Sequence, residues 1–481
     1  MKLKSIQITN YRSIDDITFE IEELKDKSFS YGLIGVNEAG KSTILKALGL
    51  KDGLKNAKGE TLPIPKDFRD RTQDISITYD YSLSKGEIKA AKEFLRTTIV
   101  DAEIEKIDLT NVKLTCLFEF TDPLNPIDVL EVQTIVETPL KEKIQEALVD
   151  FILDKAHKSV FWTAEERFLI SQPINIANFA ADPDKISIPL KNCFSLAGMD
   201  TVEKIKDRIS FIGESTERES LKDDLGRSVT DHINSVWKDH PIKITFDISD
   251  GLINFHVHDL QTRGKAKTAD QRSDGFGQFV SFLLTVSAQN KNQELSNTIL
   301  LIDEPETHLH PRAQEDLLKE IVSITQNNRN NIALFATHSN YLIDKKDLSR
   351  NYKVSKTIES KIASEKTVVT RFNTTNSTYA SVTYEVFDIP STDYHNELYS
   401  KLHEIYQNQD LNDEKRSQIL NFDTVFFHKD KKQVKDKPWK GNPKNATLPT
   451  YIRNCIHHSD NGDTYTEIEL RESIELLKRF L

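Results

Sequence analysis

Cysteine is scarce in this chain of 481 residues. Cys116, Cys193 and Cys455 stand far apart, in no CxxC or His-paired spacing, which excludes a disulfide framework and the usual zinc sites. Three buried free thiols are expected instead. Long apolar runs are missing as well: nothing approaches the roughly 18 residues that a membrane span needs. The opening segment, Lys2 to Asn10, alternates in polarity and has no apolar signal core behind a basic start, so a cytoplasmic, membrane-free protein is expected. There is no heptad run of coiled-coil length, no internal repeat and no low-complexity tract. Positive charge is not in excess either. The formal net charge of -11 argues against a surface coated for duplex DNA, although a local basic patch can bind nucleic acid on an acidic chain.

What is present is the composition of a globular protein, 37% hydrophobic and 29% charged, at a length that implies two or three domains. Strands are expected over Lys2–Asn10, Ile17–Ile21 and Phe29–Ile34, then a helix over Lys41–Leu50. Residues 51–270 mix strands (Val112–Phe120, Leu130–Glu137, Ile242–Ile248) with helices (Glu87–Leu95, Lys141–Asp154, Glu203–Ile209) and read as a compact α/β insertion with further head elements. Residues 271–345 run helix, buried strand, helix, buried strand, the second half of an α/β core whose first half is 1–50. Beyond 345, two short strands (Tyr352–Ser355, Lys366–Phe372) lead into helices near Ser377–Val386, Glu397–Gln407, Asp413–Asn421, Leu448–His458 and Glu467–Phe480, so 346–481 reads as a mainly helical domain.

The segment Gly35-Val-Asn37-Glu-Ala-Gly40-Lys41-Ser42-Thr43 matches GxxxxGK[ST] in full, between a strand and a helix. Its glycines let backbone N–H groups turn inward around phosphates, Lys41 supplies charge for the β and γ phosphates, and Ser42 is placed to ligate Mg²⁺. Gly35, Asn37, Gly40, Lys41, Ser42 and Thr43 are therefore the nucleotide-binding candidates. A second apolar run, Thr298 to Ile302, closes on Asp303-Glu304-Pro305, as a buried parallel strand ending in two acids does. Asp303 would hold Mg²⁺, and Glu304 would polarise the attacking water. A further strand, Asn331 to Ala336, ends in Thr337-His338-Ser339, where His338 can reach a γ-phosphate. ATP and Mg²⁺ are thus the expected cofactors, and ATP hydrolysis the expected reaction.

Gly35 to Thr43, IDEPETHLHP from Ile302 to Pro311, FATHS from Phe335 to Ser339 and the early YRSI of Tyr11 to Ile14 resemble the ABC-type ATPases of the RecF, SMC and OLD group. The resemblance implies an α/β P-loop head. Arg272-Ser273-Asp-Gly275-Phe-Gly-Gln278 occupies the place of that group's signature loop, with a spacing that departs from LSGGQ. By resemblance, Ser273 and Gly275 would touch the γ-phosphate held by a second subunit, which implies an ATP-dependent homodimer. The same residues also suit the N-cap of a helix over Phe279–Ala288, and the two readings are compatible. His308, His310 and Arg312 fall where the group has its dimer-facing D-loop; the lid glutamine has no assigned position.

The tail carries Arg453-Asn454 and His458 as R-N-x-x-x-H, which resembles the active-site motif of HEPN ribonucleases, where Arg and His of two chains surround one RNA phosphate. Histidine can move protons near neutral pH while arginine stabilises a charged phosphorane. The other reading is a helical bundle used only for assembly, with His457 and His458 at a favourable helix C-terminus. Upstream, Lys429 to Lys444 holds seven lysines against two aspartates, either a solvated loop or a nucleic-acid contact.

PLKNCF (Pro189–Phe194), YEVFDI (Tyr384–Ile389) and YHNELY (Tyr394–Tyr399) look like pieces of OLD-like ATPases of bacterial anti-phage systems of the Septu, PARIS and retron-associated kinds. The tail lacks the acidic pattern of a Toprim nuclease. The resemblance implies a defence ATPase, dimeric or a higher oligomer, controlling a toxic nuclease effector that is a partner protein or its own tail. A RecF-like DNA-maintenance clamp and a scaffold holding a nuclease partner inactive remain the alternatives.

Overall fold

The computed structural model describes the chain except residues 57, 99–103, 105–106, 135–137, 171–172, 237–240, 260–266, 269–279, 283, 286–295, 308, 310, 327–329, 346, 360–363, 373–377, 409–421, 428–433, 440–441, 459 and 461. Its residues fall into two units: 1–344 with 349–373, and 345–348 with 374–481.

The first unit begins with an antiparallel sheet. β1 (Lys2–Tyr11) pairs with β2 (Ile14–Glu20) and with β4 (Ile75–Ser82), which continues to β5 (Ile107–Phe118) and β6 (Ile127–Thr134). Strict alternation decides which face is buried: Ile75, Ile77, Tyr79 and Tyr81 point inward while the residues between them are half exposed. That apolar face shares one core with Ile44, Leu45 and Leu48 of α1 (Lys41–Gly49).

The second sheet carries the site. Its order is β15 (Ser364–Arg371), β14 (Asn351–Glu359), β3 (Ser30–Ile34), β13 (Ile332–Thr337), β12 (Thr298–Asp303) and β7 (Lys158–Thr163). β14, β3, β13, β12 and β7 run parallel, and β15 is antiparallel to β14. All six residues of β12 and all six of β13 are buried, as a parallel strand covered on both faces requires. The helix Pro311–Thr325 makes the crossover between them.

A third cluster lies within residues 170–284. Helix Ser215–Val236 lays Leu221, Leu225, Val229 and Ile233 against Ile242, Ile244 and Phe246 of β9 (Ile242–Ser249). β9 turns into β10 (Leu252–Asp259) through Asp250 and Gly251, both at positive φ (52° and 74°), the two-residue hairpin turn whose twist matches the strands. The short strands β8 (Ile174–Asn175) and β11 (Lys267–Thr268) flank β10.

The second unit packs helices Tyr379–Phe387, Thr392–Gln407, Leu448–His457 and Glu467–Arg479 around Leu398, Tyr399, Leu402, Ile452 and Ile474. The lysine-rich segment, expected as a loop, contains a strand pair, β16 (Val434–Trp439) with β17 (Asn442–Thr447).

The architecture is the α/β head with a helical C-terminal part that the sequence implies. Differences lie at the seams. The strands at 351–359 and 364–371 belong to the head sheet, because β14 pairs with β3, whereas the sequence places them at the start of the tail. The expected helix at Asp413–Asn421 lies outside the described residues. Of the helix expected over 279–288, residues 280–282, 284 and 285 are described and helical. All three cysteines are buried and free. Among the described residues no helix is long and apolar enough to cross a membrane.

Candidate functional site

β3 ends at Ile34 and the chain turns through residues 35–40 into α1. Two glycines make that turn possible. A Cβ on Gly35 would lie 2.2 Å from the Val354 carbonyl oxygen of the neighbouring strand, and Gly40 sits at φ 108° with Thr367 Oγ1 2.6 Å from where its Cβ would be. The loop is thus pressed against β14 and β15 as closely as bare backbone allows. The loop leads directly into the N-terminus of α1, where backbone N–H groups can receive an anion.

Lys41 is buried, and its ammonium donates to the carbonyls of Gly35 and Val36 at 3.0 Å each. Burial pulls its pKa down, and the carboxylates of Glu304, Glu306 and Asp303 push it back up. The next residue, Ser42, donates from Oγ to Asp303 Oδ1 at 2.8 Å, joining the start of α1 to the end of β12. Burial raises the Asp303 pKa to about 6, against the Ser42 hydrogen bond and the charge of Lys46. A carboxylate held that high is one that a nearby cation would stabilise in its ionised form.

Glu304 follows with its backbone at φ 50°, uncommon for a long side chain and costing on the order of 1–3 kcal/mol. Its N–H bonds the Ala336 carbonyl at 3.0 Å, which fixes the turn against β13, and its side chain is 41% exposed. His338 lies beyond the end of β13 with Nδ1 3.6 Å from Glu304 Oε1 and 3.4 Å from Glu306 Oε1. One cleft is lined by Asn37 to Thr43, Glu304 and His338, together with Ser13 and Lys356. Lys41, Ser42, Asp303, Glu304 and His338, predicted from three separated motifs, are therefore brought together.

Glu306, Ser13, Thr367 and Lys356 were not singled out from sequence. Glu306 is 3% exposed; its Oε1 accepts from Thr337 Oγ1 at 2.7 Å and from the His338 N–H at 2.9 Å. Burial raises its pKa against those two bonds. It sets where His338 starts. The signal was available: a second acid in Glu304-Pro305-Glu306 cannot be a mere cap when the strand it follows is fully buried. Ser13, inside the YRSI segment, bonds Thr367 through both its hydroxyl (2.7 Å) and its carbonyl (2.8 Å).

Arg272, Ser273, Gly275, Gln278, His308 and His310 lie outside the described residues, as does the Arg312 side chain. Among the described residues no group of three or more His, Cys, Asp or Glu is placed to hold a metal ion. In the second unit, Arg453 donates to Asn454 Oδ1 at 3.1 Å, and His458 caps the helix with its N–H on the Asn454 carbonyl at 2.8 Å. Burial and then the Arg453 charge lower the pKa of His403, and the same two causes, with His458, lower that of His457. The Arg453 charge thus bears on two histidines, one of them on another helix.

Comparison with known proteins gives a family and distant relatives. Residues 1–343 match the family described as AAA ATPase domain. The chain is similar to an OLD nuclease of Thermus scotoductus, 23% identical over 353 residues, covering 71% of this chain and 60% of the relative. It is also similar to the Old nuclease of Escherichia phage P2, 22% identical over 445 residues, covering 83% of this chain and 69% of that one. This chain therefore spans about 60% of the length of the Thermus relative. Among solved structures it matches an SMC head bound to the C-winged helix domain of ScpA, at TM-score 0.41 and 11% identity over 77% of this chain and 99% of that one.

Proposed function

Because the chain belongs to the AAA ATPase domain family, matched over residues 1–343, we propose that it binds ATP with Mg²⁺ in the cleft at Gly35–Thr43 and hydrolyses it. The observation that carries this reading is the Ser42–Asp303 hydrogen bond of 2.8 Å, with Lys41, Glu304 and His338 around it. A hydroxyl and a carboxylate form the oxygen-only donor pair that Mg²⁺ accepts when substrate phosphates supply the remaining ligands. Bound there, Mg²⁺ would neutralise charge developing on the β and γ oxygens.

The chain's own groups do the rest. The loop N–H groups and Lys41, released from the Gly35 and Val36 carbonyls, hold the phosphates. Glu304 accepts a proton from the attacking water, its left-handed backbone turning the carboxylate into the cleft. His338, anchored through its N–H by Glu306, contacts the γ-phosphate and reports its presence. Ser273 and Gly275 of a second copy would complete the site, so ATP favours a homodimer. Hydrolysis then times the assembly.

We extend the proposal to biology through the likeness to the OLD nucleases: an ATP-gated regulator in anti-phage defence, controlling a nuclease effector that is a partner protein or the unit holding Arg453, Asn454 and His458. Purified wild type, Lys41→Ala and Glu304→Gln test the enzymatic part. Lys41→Ala should lose ATP binding, and Glu304→Gln should keep ATP while turnover falls about a hundredfold or more. Equal turnover in wild type and Glu304→Gln would remove the general-base role.

A further inference from the structure

The parallel pairing of β14 with β3 ends where β3 does, but β14 itself runs on to Glu359. Lys353 lies opposite Ile34, so the next residues of β14 run beside the glycine-rich loop, as the approach of the Val354 carbonyl to Gly35 shows. Two residues beyond Val354 on β14 comes Lys356, which lines the cleft with Lys41 and His338. Across the ladder Lys356 faces Thr367, the residue packed on Gly40 and bonded to Ser13. Residues two apart on a strand share a face, so Lys356, Thr367 and Glu365 lie on the side that meets the loop. The Lys356 ammonium is engaged by the Glu365 carboxylate, diagonally across the hairpin; the lysine side chain is 30% exposed and the glutamate 61%.

We propose that Lys356 is a second phosphate ligand of the nucleotide site, kept in reserve by Glu365 and transferred to the phosphate chain of ATP when it binds. This rests on the nucleotide-binding reading of the cleft. An exposed ion pair is worth little, so giving up Glu365 costs little, whereas a polyphosphate facing the same ammonium presents more charge on more acceptor oxygens. The exchange makes the hairpin respond to occupancy, because Lys356 and Thr367 are cross-strand partners and Thr367 touches the loop. Glu365 sets the affinity: it competes with the ligand for one cation.

Equilibrium binding of ATP with Mg²⁺ to the full chain tests this, using wild type, Lys356→Ala, Lys356→Arg, Glu365→Gln and Lys41→Ala. Lys356→Ala should weaken binding about tenfold, the size of one charge-assisted contact less the pair given up. Lys356→Arg should stay close to wild type, and Glu365→Gln should bind more tightly, a change in the direction opposite to any damage to the fold. Wild-type affinity in Lys356→Ala, with Lys41→Ala unable to bind, would overturn the role of Lys356 and leave the site intact. Equal weakening by Lys356→Ala and Glu365→Gln would also overturn it, since the pair would then only brace the hairpin. Undiminished binding by Lys41→Ala would instead overturn the nucleotide site itself.

Discussion

The two units both bring charged and polar groups together, but by different means. In the first unit the backbone does it: three buried parallel strands end side by side, and the residue that closes or follows each strand, Gly35, Asp303 or His338, arrives at one place. In the second unit side chains do it: Arg453 bears electrostatically on His457 of its own helix and on His403 of another, and the second influence exists only because the helices pack. Strand-end sites tolerate almost no change in backbone geometry. Helix-face sites respond instead to charge and burial.

The largest expected effect follows from that contrast. Gly35→Ala puts a methyl 2.2 Å from a backbone oxygen that no rotamer change can move, so β14 and the loop must part. A shift of about 1 Å at positioning groups costs about a hundredfold in rate, and ATP turnover should fall by that order. Gly86→Ala, on a helix surface with nothing within 4 Å, should leave turnover unchanged and raise the melting temperature slightly. Equal turnover by the two variants would break the comparison.

How much of this was legible in the sequence follows the same division. Gly35–Thr43 and Asp303–Glu304 are contiguous and flanked by the strand and helix that give them their geometry, so local pattern was enough. His338 was readable because Ile332–Ala336 is apolar throughout. Lys356, Thr367 and Ser13 were not: they reach the cleft through sheet order, β14 beside β3, which no spacing in the chain encodes. Helix Ser215–Val236 was missed because its buried stripe is one residue wide, Leu221, Leu225, Val229 and Ile233 among charged neighbours. Ile75–Ser82 alternates plainly and could have been read as a strand. In the tail, R-N-x-x-x-H draws Arg453, Asn454 and His458 from one stretch of chain, whereas His403 entered only with the fold.

A smaller effect tests where the units should behave alike. Each buries a neutral histidine, His157 bonded to the Asn330 carbonyl at 2.9 Å and His395 to Ser473 Oγ at 2.9 Å. Burial lowers both to about 4 from 6.5. Between those values the unfolded chain binds more protons than the folded one, so stability is complete above about pH 6.5 and is lost as pH falls towards 4. Each contributes on the order of 3 kcal/mol across that window. Hydrogen exchange followed from pH 7 to 4.5 should show residues 158–163 and 392–407 losing protection together. His395→Gln should flatten the acid response of 392–407 alone; an unchanged response there would show that His395 does not drive it.

The smallest effect isolates the charge in the second unit. Burial is the first cause of the low pKa of both His403 and His457, with Arg453 second, so Arg453→Ala should raise both titration midpoints while leaving each below the usual imidazole value. His403 is the sharper probe. Its ring stacks on Tyr406 and meets Phe422 at an angle, contacts that hold it in place when Arg453 is removed. A proton-detected pH titration would read the two rings separately. A rise in both means that one cation on helix Leu448–His457 acts on a histidine of helix Thr392–Gln407, which is the electrostatic condition for Arg453 to share an anionic ligand with either ring. A rise in His457 with none in His403 would confine Arg453 to its own helix, and the two-helix cluster would reduce to a favourable helix C-terminus.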